Sequence, residues 1–163
     1  MIDAGKPHAV RIHLALPSNA SGTTWFALLI DAPPEIDARG MRVATRVAVP
    51  VFITADGTES AQARLTALQA VRNDAGEIVI EARVRNSGNV VLRAPMTFAI
   101  ESGGSEIASA DVPDFVILPG GERVIRVRMH GELKGDLSAT AFYRYGGATA
   151  TMSCNVRTNT IVS

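Results

Sequence analysis

The sequence predicts an all-β protein, and three observations carry that expectation. Helical spacing of apolar residues is nearly absent. Short runs of Val, Ile, Thr and aromatic residues are instead punctuated by Gly, Pro, Asn and Asp. The third observation is the stretch MRVATRVAVPVFIT at 41–54, where every odd position from Val43 to Ile53 is β-branched. A two-residue period places Val43, Thr45, Val47, Val49, Val51 and Ile53 on one face of a strand. That row is either filler for the chain's own core or a surface held ready for something else.

The elements follow in order. Strands are expected at 8–16, at 23–31 behind the aromatic pair Trp25-Phe26, and at 41–54 from the alternation itself. Beyond the polar break TADGTES (54–60) they are expected at 62–72, 77–85, 90–100, 106–110, 123–129, 139–145 and 149–157. NDAG (73–76) and RYGG (144–147) read as hairpin turns, because Asn, Asp and Gly tolerate the positive φ such turns require. Within 77–85, Ile78, Ile80, Ala82 and Val84 face one way and Glu77, Glu81, Arg83 and Arg85 the other, so one face is wet. Seven short strands in roughly a hundred residues match one complete immunoglobulin-like β-sandwich. The expected organisation is therefore a partial N-terminal immunoglobulin-like domain over 1–55 and a complete C-terminal sandwich over 56–163. Three strands cannot close a two-sheet core, so the N-terminal part reads as the last strands of a domain whose front is missing.

Bulk composition excludes several classes of function. The chain is 47% hydrophobic and 20% charged, a globular and not a disordered composition. Sixteen basic residues balance sixteen acidic ones, so nothing favours nucleic acid or an anionic membrane as partner. All the basic residues but Lys6 and Lys134 are arginines spread along the strands, where they read as solvated faces. No apolar stretch approaches the ~20 residues of a membrane span, and no basic start followed by an apolar run marks a leader. A single cysteine, Cys154, rules out an internal disulfide and a cysteine-rich zinc site; it reads as a small buried hydrophobe.

No set of residues converges on catalysis or metal binding. His8 and His13 are five apart, hence on opposite faces of a strand, and His130 reads as a turn residue. Asp111 and Asp114 offer too few oxygens for calcium. The pairs Gly103-Gly104, Gly120-Gly121 and Gly146-Gly147 lead into no helix and read as turns, not phosphate loops. Asn19-Ala20-Ser21 matches a glycosylation acceptor pattern short enough to arise by chance. Trp25 and Phe26 are adjacent in a strand, so one ring should enter the core and the other face outward. The expectation is a non-enzyme without metal or cofactor.

Residues 5–54 also carry a series of features in order: Gly5, Val10-Arg11-Ile12, Pro17, Trp25-Phe26, Pro33-Pro34 and then the alternating strand. This series resembles the second half of the first domain of PapD-like periplasmic pilus-assembly chaperones. VRNSGNVVLRAP and FVILPGGERVIRV resemble, more loosely, the strand ends of that family's second sandwich. The resemblance implies an exported or periplasmic protein that binds pilin-like or other surface subunits by β-strand addition through residues 41–53. The lending row it implies is Met41, Val43, Thr45, Val47 and Val49. The chain departs from the family at Ala48, where the chaperones carry an anchoring lysine, and it lacks the first strand that holds the partner arginine. The other function class the sequence admits is an immunoglobulin-like structural or adhesive module of a surface assembly. Either way, an apolar row on strands without a front half should drive self-association through residues 8–54.

Overall fold

The computed structural model describes residues 6–36, 38–130 and 133–158. Nine strands and no helix appear among them: β1 (Thr23–Ile36), β2 (Arg42–Thr54), β3 (Ala63–Arg72), β4 (Ile78–Asn86), β5 (Leu92–Ser102), β6 (Ser105–Ile117), β7 (Glu122–Met129), β8 (Ser138–Tyr145) and β9 (Ala148–Thr158). β1 and β2 pair only with each other, as a two-stranded ribbon. The other seven form one sheet in the order β6-β5-β8-β9-β3-β4-β7.

That sheet folds over along β9. Residues 148–155 of β9 pair antiparallel with β8, and Val156 to Thr158 then pair parallel with Ala70 to Arg72 of β3. One strand thus belongs to two layers, β6-β5-β8 and β3-β4-β7, which close on each other as a sandwich bordering on a barrel. The inward rows supply the core. Ile78, Ile80, Ala82 and Val84 of β4 are fully buried, as their alternation predicts, and they share one cluster with Met96, Phe98 and Ile100 of β5 and Ala139, Ala141 and Tyr143 of β8. Asn86 is buried with them and fully used. Its Nδ2 donates to Val90 O (2.7 Å) and Ile117 O (3.0 Å), and its Oδ1 accepts from Gly88 N–H (3.0 Å). A polar group buried this deeply is tolerated because every bond lost to water is replaced.

Turn chemistry sets the hairpins. Ser102 pairs with Ser105 and Tyr145 with Ala148, leaving two-residue glycine turns whose φ values are all positive (Gly103 58°, Gly104 83°, Gly146 49°, Gly147 78°). Such turns match the twist of the strands they join. In NDAG, Asn73 caps the turn from both sides: its N–H donates to Glu77 O and its Oδ1 accepts from Glu77 N–H, each at 2.9 Å.

Three expectations change. Residues 8–16 carry no ladder partner among the described residues and are exposed throughout, with Val10 61% and Leu14 52% accessible. A run with strand character becomes a strand only where a neighbour takes its backbone groups, and none does here. β1 runs on past Asp31 to Ile36, through Pro33 and Pro34, because the register slips between Ala32 and Glu35. Residues without an N–H sit in such a bulge at no cost in ladder bonds. β6 likewise extends to Ile117, with Pro113 inside the register shift opposite Ala94 and Met96.

Candidate functional site

The candidate site is the β1-β2 ribbon. Its register runs from Thr23↔Thr54 to Ile36↔Arg42, so residues directly opposite share a face. One face collects Val43, Thr45, Val47, Val49, Val51 and Ile53 of β2 with Ala32, Ile30, Leu28 and Phe26 of β1. The other collects Arg46, Ala48, Pro50 and Phe52 with Asp31, Leu29, Ala27 and Trp25. The alternating stretch is therefore a strand, and its row lies on a single face.

The row does not fill the core. Val43, Val47 and Val49 are 46%, 51% and 40% exposed, Thr45 is exposed, and Met41, just before the strand, is 58% exposed. Only Val51 and Ile53, at the root, are partly covered. Four of the five predicted binding residues thus fall on one solvent-facing strip of β2, and Met41 is exposed just before it. Because the ribbon has only two strands, β2 also presents an edge with no ladder partner among the described residues. Unpaired backbone beside an apolar row is the combination that recruits another strand.

The reverse face carries the ribbon's ion pair. Arg46 Nε donates to Asp31 Oδ1 at 2.5 Å and its Nη2 to Asp31 Oδ2 at 3.0 Å. The carboxylate raises the Arg46 pKa above its ordinary value. Both side chains are well exposed, so the pair stabilises the ribbon little. Trp25 stands opposite Phe52 on this face, 46% and 41% exposed. Phe26, on the valine face, is only partly covered, and neither ring of the pair joins the core cluster. The inward ring expected from the sequence has no core to enter, because the ribbon has no second layer.

At the ribbon root, Phe52 and the β6-β7 connection enclose a cleft of about 350 Å³, lined by Val116, Ile117, Leu118 and Gly121 with Glu122 and Arg123. Arg123 Nε donates to Val116 O at 3.2 Å. At the far end of the sandwich a polar cavity of about 430 Å³ is lined by Arg72, Glu101, Asp136, Ser138 and Asn155. Among the described residues no three His, Cys, Asp or Glu side chains gather to hold a metal. His130 is exposed and its Nδ1 lies 2.9 Å from Glu77 Oε1; Asp111 accepts from Thr97 Oγ1 at 2.8 Å. Cys154 is half-covered against the core, and burial pushes its thiol pKa up, away from the reactive thiolate.

Sequence reasoning missed one cluster that bears on the site. Thr58 and Ser60, in the polar break, meet Asn89 of the NSGN turn at the ribbon root. Both stretches look like ordinary loops. Their only signal is a density of Ser, Thr and Asn, which bond readily to nearby backbone.

No protein-family model matches the chain, and no curated protein matches it in sequence. Among solved structures it is similar to part of the Pseudomonas fluorescens alkylpurine DNA glycosylase AlkC bound to DNA containing an abasic site analog. That match has 15% identity, a TM-score of 0.40, and covers 60% of this chain and 31% of the glycosylase. It is also similar to the CARDB domain of the PF1109 protein from Pyrococcus furiosus in complex with di-metal ions (15% identity, TM-score 0.39, 60% of this chain and 88% of that one). A third is a beta-glucosidase from Listeria innocua in complex with glucose (8% identity, TM-score 0.36, 61% of this chain and 16% of that one). The chain thus spans less than a third of the glycosylase and a smaller part of the glucosidase.

Proposed function

We propose that this is a non-enzymatic binding protein that captures a partner by strand addition along β2. The observation that carries the reading is the exposure of Met41, Val43, Thr45, Val47 and Val49 beside an unpaired strand edge. A partner strand laid along β2 would gain the ladder bonds the edge lacks and cover the apolar strip. With the resemblance to PapD-like chaperones, the partner class is a pilin-like or other surface subunit lacking a strand, and the setting is periplasmic or otherwise exported. The finer fold is read as immunoglobulin-like over 56–163, with 1–55 a partial domain of the same kind. The layers β3-β4-β7 and β6-β5-β8-β9, with first and last strands parallel, support it. Ala48, opposite Leu29, supplies no cation, so recognition here rests on backbone pairing and apolar contact and not on anchoring a carboxylate.

The test is capture of a strand-deficient pilin-type subunit by the wild-type chain and by the Val43→Asp/Val47→Asp double variant. Capture should be lost in the variant while the sandwich unfolds at its usual temperature. Capture retained by the variant would overturn the reading.

A further inference from the structure

The ribbon is carried on a built joint and not on a free linker. Residues 20–22 enter β1 and residues 55–60 leave β2, and both segments are tied to Asn89 in the turn between β4 and β5. The Asn89 carbonyl accepts from Thr23 N–H at 2.8 Å, and its N–H donates to Ser60 O at 3.0 Å. Its side-chain Oδ1 accepts from Ser60 N–H at 2.7 Å, while Nδ2 donates to Thr58 O at 2.9 Å and to Ser21 Oγ at 3.1 Å. Every polar group of this residue is engaged, and every bond goes to the ribbon's two connections or to Thr23, the first residue of β1.

A second ring of bonds closes the joint from the ribbon's side. Thr58 Oγ1 accepts from Gly22 N–H (2.8 Å) and donates to Ala55 O (2.7 Å), and Ala55 N–H donates to Gly22 O (2.9 Å). The Thr23 and Thr54 hydroxyls lie 2.9 Å apart, and Val91 N–H donates to Thr23 Oγ1 at 3.2 Å. The contacts are too close for side chains. A Cβ on Gly22, whose φ is +69°, would lie 2.1 Å from Asn89 O, and one on Gly88 would lie 2.0 Å from Ser60 O. Connections between elements are ordinarily solvated and mobile; these two are bonded at Ser21, Gly22, Ala55, Thr58 and Ser60.

We propose that Asn89 is a positioning residue that locks the direction of the ribbon on the sandwich, so that the β2 edge is presented in one fixed orientation. A preset orientation lowers the ordering cost of any association along that edge. The inference concerns the joint alone and holds whichever partner the edge takes.

The experiment is a spin-label distance measurement on the full chain without any partner, in the Val43→Asp/Val47→Asp background, which removes the apolar strip that would pair two copies. Labels go on exposed positions of ribbon and body, Ala44→Cys and Arg128→Cys, in a Cys154→Ser background. The parent should give one narrow distance peak. Asn89→Ala and, separately, Asn89→Asp, which keeps the acceptor for Ser60 N–H and removes both Nδ2 donations, should broaden it at least twofold while the thermal midpoint of the sandwich stays within a few degrees. Asn89→Asp keeps the size of the side chain, so it decides the matter if Asn89→Ala fails to fold. A broad peak in the parent, or parent-like peaks in the folded variants, would overturn the proposal. Because no partner is present, that outcome would leave strand capture to be judged by its own test.

Discussion

Tyr143 gives the sharpest quantitative prediction. Its ring is fully buried between Phe115 (5.3 Å between centroids) and Tyr145 (5.6 Å), yet its hydroxyl finds no hydrogen-bond partner among the described residues. An unsatisfied buried hydroxyl costs about 1–3 kcal/mol. Tyr143→Phe removes that cost and leaves a void of roughly one oxygen atom, worth a few tenths of a kcal/mol at ~24 cal/mol per Å³. The net expectation is a gain of about 1 kcal/mol, or about 4–8 °C in Tm for a two-state unit of this size. The alkaline limb should change with it. Burial first, then Asp114 and Tyr145, push the Tyr143 pKa up to about 12. Since an unfolded tyrosine titrates near 10, the unfolded state loses its proton first. Ionisation of Tyr143 therefore leaves stability untouched below about pH 10 and lowers it as pH rises toward 12. Thermal melts of both proteins from pH 7 to 11.5 test this: the variant should be more stable at pH 7 and fall less steeply above pH 10. A variant destabilised by 1 kcal/mol or more would mean that the hydroxyl is bonded in the fold, and the reasoning would be refuted.

Four further outcomes are expected. Phe98→Ala empties the centre of the β5 row and should cost about 3–5 kcal/mol in denaturant unfolding. Asn86→Ala leaves the Val90 and Ile117 carbonyls and the Gly88 N–H without their partner, so a loss of about 2–4 kcal/mol is expected by the same assay. The wild-type chain should self-associate at micromolar concentration in a light-scattering dilution series, and Val43→Asp/Val47→Asp should shift it toward monomer; a wild-type monomer would contradict this. Glu81, whose pKa is lowered chiefly by its bond from Arg126, favours the fold above the ordinary carboxylate range; Glu81→Gln should therefore flatten the loss of stability on acidification through that range.

The alternating stretch shows how much of this molecule was legible in its sequence. Period-two patterning fixes which side chains share a face, because the pleat of a strand is a local property, and both 41–54 and 77–85 obey it. Whether a face is buried depends on whether a second layer exists, and nothing local encodes that. β4 finds β5 and β8 across the core and is buried; β2 finds only β1 and is exposed along most of its length. Residues 8–16 have strand character too, and without a neighbour they form no strand at all.

The joint lies at the other extreme. Asn86 and Asn89 sit three residues apart in one turn and look alike in sequence, yet Asn86 bonds within the sandwich and Asn89 bonds across to the ribbon. The difference arises only when Ser21, Thr58 and Ser60, distant in sequence, are brought to the same place. A two-stranded ribbon is marginal by itself in water. Here both of its connections are bonded to the turn between β4 and β5, so opening the ribbon's root means breaking the bonds of Asn89 and Thr58 together. The apolar strip of β2 is thus exposed on a ribbon whose two connections are both hydrogen-bonded to the sandwich.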